Sequence, residues 1–323
     1  MSDENFSPPT APIPAVPPND TLPKNSWDLK IWLWPVSLFL TVLVIAGAWV
    51  YTSKQKNQNL SNKNISSIET ALTSELEQKV IPLNTTLPVV WGDLGKKLVA
   101  SGALDLVKFQ DIYANRGGLD EASLALLKND NNGQIEITPA NSGLWLNLLW
   151  ALGLANKNAI LDKGPMSDPQ YGGAGNFAST GGWTIATGTA MDHYSRHDFI
   201  KLSPEQELLV AKVAQNIYRP CCDNSTLFPD CNHGMAMLGL LELLASQGKN
   251  EEQMYQTALT VNSYWFPENY LTIARYLQEN GQNWDQVKPQ EILGANYSSS
   301  TGYQNILNKT VPVSPKPSPG CGV

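Results

Sequence analysis

The chain has 323 residues, of which 42% are hydrophobic and only 16% charged, with a net charge of −7. A pI near 5.0 and scattered lysines exclude the basic face that nucleic acid demands. Ten Trp and eleven Tyr provide for a well-filled core.

Residues 1–30 contain Pro8, Pro9, Pro12, Pro14, Pro17, Pro18 and Pro23 with almost nothing to bury, which predicts a disordered Pro-rich tail. Ile31 to Tyr51 is uncharged, is long enough to cross a bilayer as a helix, and carries Trp32, Trp34, Trp49 and Tyr51 at its ends. It predicts a single transmembrane helix with the lipid bilayer as partner. Ala46-Gly47-Ala48 also resembles a signal-peptide cleavage site, but the long Pro-rich tail with acidic residues is a poor n-region, which favours an uncleaved anchor. Lys24 and Lys30 before the span and Lys54, Lys56 and Lys63 after it leave the charge rule nearly silent. A short tail ahead of a signal anchor favours an extracytoplasmic domain at the cell membrane.

Residues 52–64 read as a polar stalk, and residues 65–308 as a mainly α soluble domain. Ile68, Leu72, Leu76 and Val80 recur at helical spacing before Pro82. Further helices are expected at 93–101, 104–114, 121–128 and 144–155, the last with Trp145, Leu148, Leu149 and Leu152 on one face. Gly164, Pro165, Gly172, Gly173, Gly175, Gly181, Gly182 and Gly188 predict a long Gly-rich loop over residues 163–188. Ser203-Pro204-Glu205 marks a helix start running to about Tyr218, followed by helices at 232–246 and 251–278, the second with a kink at Pro267. Residues 309–323 form a second Pro-rich tail. The stretch from Lys128 to Glu136 resembles a calcium loop but puts Lys128 at position one and Pro139 at position twelve, so a polar turn is expected.

Six of the seven Cys and His residues fall between His193 and His233, and only Cys321 stands apart. Cys221, Cys222, Cys231 and His233 form C-C-x8-C-x-H, three sulfurs and an imidazole within thirteen residues. Such donors suit a borderline or soft transition metal: zinc, copper or iron. Asn232 is a plausible N-cap, whose helix would favour a thiolate at Cys231, as would Arg219. Two alternatives stay open: a disulfide or thiol-redox pair that leaves one sulfur for Cys321, or buried structural thiols in an envelope interaction module. His193 and His197, four apart, would share one helix face and extend the metal site. Met191, Met235 and Met237 could add thioethers but are expected in the core. No motif of a known catalytic class occurs.

Pro220-Cys221-Cys222, Cys231, His233-Gly234, a following helix and Gly248 before Glu251-Glu252 resemble bacterial membrane-anchored, cysteine-rich proteins of the PCYCF-motif type over residues 218–255. The resemblance implies a metal- or redox-linked role outside the cytoplasm.

Overall fold

The computed structural model describes residues 30–182 and 184–313, with side chains at 38–56, 71–182 and 184–313. Both Pro-rich tails therefore lie largely outside the described residues, as does Cys321. The chain divides into two units, Met1–Ser67 and Ile68–Val323.

The helix α1 (Lys30–Val80) begins in the first unit and runs through the expected span and through residues 52–64 without a break. Its segment Leu38–Lys56 is long and apolar enough to cross a membrane by length and composition, a property that signal sequences share. The residues expected as a stalk are thus helical, since nothing in TSKQKNQNLSNKN removes a backbone donor.

The second unit is mainly helical, with one small sheet. Strand β1 (Thr85–Gly92) pairs antiparallel with β2 (Asn132–Ile137). Leu87, Val89 and Trp91 alternate inward along β1, and the register shifts between Thr86 and Val90, where Pro88 offers no N–H to a ladder. The turn-and-strand before Glu136 replaces any calcium loop; Asn132 Nδ2 donates to Gly92 O at 2.8 Å and closes the hairpin-like end.

Between the strands lie α2 (Leu94–Ser101), α3 (Leu106–Ala114) and α4 (Glu121–Lys128). Asp105 and Asp120 cap α3 and α4 by accepting from first-turn N–H groups. Then come α5 (Ser142–Ala155), α6 (Ala159–Lys163), α7 (Pro204–Ala214), α8 (Asn232–Ser246), α9 (Glu251–Trp265), α10 (Pro267–Glu279), α11 (Pro289–Leu293), α12 (Ala295–Ser298) and α13 (Ser300–Leu307). Ser203 caps α7 in a reciprocal box with Gln206, with Pro204 at the first helical position. That helix stops at Ala214, short of Tyr218. Pro267 does more than kink: it starts a new helix after the non-helical Phe266.

The centre of the unit is α5 packed on α8. Both are buried on every face from Leu144 to Ala155 and from Asn232 to Ala245. They cross at Gly153 and Gly239: a Cβ on Gly153 would sit 2.1 Å from Met235 O, and one on Gly239 would sit 2.4 Å from Leu149 O. Met235 and Met237 are wholly buried in this core, as expected for packing rather than ligation.

The Gly-rich stretch is a chain of single turns, at Pro165–Ser167, Pro169–Tyr171, Ala174–Asn176 and Ala178–Gly182. Gly172 and Gly173 take φ of 73° and 111°, which side-chain-bearing residues avoid. One turn is fixed to the cysteine segment: Ser179 N and Oγ donate to Asp230 O at 2.9 Å and Pro229 O at 2.7 Å.

Candidate metal centre

After α7 the chain folds back on itself before entering α8. Thr226 N donates to Ile217 O at 2.8 Å and Leu227 N to Ala214 O at 3.2 Å, so the segment closes a tight loop with Cys221 and Cys222 at one end. Cys222 N donates to Arg219 O at 3.2 Å, turning both adjacent cysteines toward the start of α8. There Cys231, not Asn232, is the N-cap: its sulfur accepts from Gly234 N–H at 3.4 Å. A sulfur at the N-terminus of a buried helix faces the positive end of the helix dipole.

Three sulfurs converge. Cys221 and Cys222 Sγ are 3.8 Å apart, Cys221 and Cys231 3.7 Å, and Cys222 and Cys231 3.9 Å. These separations are far beyond the bond of about 2.0 Å in a disulfide. A tetrahedral ion bound at about 2.3 Å to each sulfur would hold them about 3.8 Å apart. The near-equilateral triangle meets that requirement.

His233 joins on one side. A ring nitrogen of His233 and the sulfurs of Cys221 and Cys231 all lie within 4.8 Å of one another, close enough to hold a metal ion. The ring is buried against Phe266 (centroids 4.4 Å) and Trp265 (5.9 Å), and its Nδ1 is buried without a hydrogen-bond partner. An imidazole fixed by packing rather than by hydrogen bonds keeps a lone pair for another use.

Asp230 joins on the other side, where its carboxylate groups with the Cys222 and Cys231 sulfurs within 4.8 Å. Sequence reasoning missed this residue, although its place between Pro229 and Cys231 puts it beside the cluster. The fully buried Arg219 guanidinium lies here too. Its Nη2 donates to Cys222 Sγ at 3.2 Å and to Asp230 Oδ1 at 3.1 Å, and Nη1 to Thr226 Oγ1 at 3.4 Å. Gly234 makes room for it, because a Cβ there would lie 2.8 Å from Arg219 Cζ.

The charges constrain one another. Burial opposes the Arg219 charge, but the Cys231, Cys222 and Cys221 sulfurs and Asp230 more than restore it and raise its pKa. At Cys222 the hydrogen bond from Cys221 pulls the thiol down, yet the Cys231 sulfur and burial outweigh it and push Cys222 up to about 12. Burial, with Cys231 behind it, raises the Asp230 carboxyl, against the Asn224 amide and Arg219. Burial and the neighbouring Cys231 sulfur thus oppose a thiolate at Cys222. A divalent ion would let all three ionise.

The two outer histidines do not belong to this centre. Among the described residues, two groups of Cys, His and acidic residues have metal-ligand spacing, and neither includes His193 or His197. Their segment is a short turn rather than the expected helix, and its rings bind each other instead: His193 Nδ1 to His197 Nε2 at 3.0 Å, and His193 Nε2 to Thr187 O at 3.0 Å. Both nitrogens of His193 are thereby used. Stacking on Phe199 holds the second ring (centroids 5.0 Å).

The chain has no match among protein-family models, curated proteins or solved structures, so its likeness to the PCYCF-motif proteins rests on the residues of the cysteine segment alone.

Proposed function

We propose that this is a membrane-anchored, extracytoplasmic protein that binds one transition-metal ion through Cys221, Cys222 and Cys231, with His233 as fourth donor, for storage or delivery. The observation that carries it is the sulfur triangle with sides of 3.7, 3.8 and 3.9 Å. The buried imidazole with an unpartnered Nδ1 supports it. Zinc, copper and iron all suit this donor set. The apolar segment Leu38–Lys56 supports the anchor.

A thiol-disulfide role is the second reading, favoured by the approach of Cys221 to Cys231 at 3.7 Å, which a small loop movement could close. One experiment separates the two. Full-length chain purified in detergent should carry close to one equivalent of zinc, copper or iron, and chelation should expose the thiols to a thiol reagent. Metal-free protein with two thiols fewer than its cysteines, recovered on reduction, would replace the metal reading with the redox one. The anchor is tested in parallel: the uncut chain should pellet with membranes and resist carbonate, whereas recovery of a shortened soluble form would reveal a cleaved signal.

A further inference from the structure

Two ligand sets overlap at Cys231: Cys221, Cys231 and His233 on one side, and Cys222, Asp230 and Cys231 on the other. A bridging thiolate can serve two cations at once, so by spacing alone the cluster has room for a pair of ions. The second set, however, already contains a cation. Arg219 Nη2 lies 3.2 Å from Cys222 Sγ and 3.1 Å from Asp230 Oδ1, and its side chain has no exposure to solvent. A guanidinium is charged at any pH the fold tolerates, and it donates to sulfur and carboxylate in directions fixed by its plane. Its bed is built for it, since Gly234 leaves a gap that any side chain would fill. Asn224 Nδ2 holds the other Asp230 oxygen at 2.8 Å, which commits both oxygens of that carboxylate to protein donors.

We propose that Arg219 is the built-in cation of the second ligand set, and that it limits the cluster to one metal ion and keeps Asp230 out of the coordination shell. The inference rests on the metal reading above. Three thiolates, the Asp230 carboxylate and a divalent ion together leave two negative charges, and the buried guanidinium balances one of them without exchange with solvent. The His233 side then holds the exchangeable ion, and the Arg219 side holds the permanent one.

The test uses Cd²⁺ alone as probe on the full-length chain in detergent, with thiolate-to-cadmium charge-transfer absorption and native mass spectrometry as readouts. Wild type should saturate at one Cd²⁺. Asp230→Asn should also saturate at one, with affinity changed by less than about tenfold, the lower bound for losing a supporting partner of a ligand. Arg219→Lys, which keeps the charge, should stay at one, and Arg219→Gln should admit a second Cd²⁺ that the double variant with Asp230→Asn loses. A second Cd²⁺ in wild type, or a larger affinity loss in Asp230→Asn, overturns the inference whether or not Arg219→Gln folds. So does a folded Arg219→Gln that still stops at one. A wild-type chain that takes up no Cd²⁺ overturns the metal reading itself, and this inference with it.

Discussion

Cys221 and Cys231 place their sulfurs 3.7 Å apart although nine residues separate them in the chain, because a closed loop and the capped start of α8 aim both at one point. Cys231 does two tasks there, capping the helix and completing the triangle. Cys231→Ser should therefore release the metal and lower the melting temperature in metal-loaded protein by more than it does in chelated protein. Metal affinity of a site present only in the native chain adds to folding stability, so the two losses should scale together. Equal destabilisation with and without chelator would mean that the sulfur is only a cap.

At the crossing of α5 and α8 no side chain fits. Gly239→Ala would press a methyl against Leu149 O, which is backbone and cannot swing away. A cost of about 1–3 kcal/mol is expected for such overpacking. Thermal or denaturant melts should show it, and Gly153→Ala should cost a similar amount. Since α8 also carries Cys231 and His233, metal affinity should fall in both variants. A neutral Gly239→Ala would show that the helices can part without loss.

His197→Ala should leave metal content unchanged, because that ring faces His193 and Phe199 rather than the sulfurs. It should change the response to acid. Burial, with His193 and Arg196 adding to it, holds the His197 pKa below its ordinary value. The unfolded chain then takes up protons first as pH falls through about 6.5, so stability conferred by the neutral ring is lost below that point. Melting temperatures measured downward from neutral pH should fall less steeply in His197→Ala than in wild type.

Glu242 carries the opposite sign. It is wholly buried on α8 and accepts from the side-chain amides of Asn158 and Asn156, the latter at 3.1 Å. Burial outweighs both amides and raises its pKa well above the ordinary carboxylate value. Above about pH 4.5 the unfolded chain releases this proton while the folded one keeps it, so stability declines as pH rises toward the folded pKa. Glu242→Gln removes that dependence. The melting-temperature difference, variant minus wild type, should grow as pH rises from about 5 to 8; a constant difference would mean that the carboxylate is ionised in the fold.

The chain by itself determined the helical elements and the collection of donors. Uncharged residues from Ile31 to Tyr51, a Ser203-Pro204 start and unbroken apolar residues from Leu144 to Ala155 are local signals, and each became a helix. The donors Cys221, Cys222, Cys231 and His233 were legible as a group in the chain, but thirteen residues can extend over about 40 Å, and only the closed loop brings them to one point. The strand at Thr85–Gly92 was not legible in the sequence, because Pro88 in the midst of Leu87, Val89 and Trp91 argues against one. What only the tertiary structure decided is which groups share a point in space. Arg219 was legible as a nearby charge and Asp230 was not, but both become hydrogen-bonded partners of the cluster only when the loop closes on Gly234. His193 and His197 fit a helical ligand pair by spacing, but the backbone bonds of Ser195, Arg196 and His197 to the end of α5 hold the segment as a turn and bring the rings together. Gly153 and Gly239 become neighbours only because two buried helices must cross, and close backbone contact is a property of the pair that neither local sequence encodes.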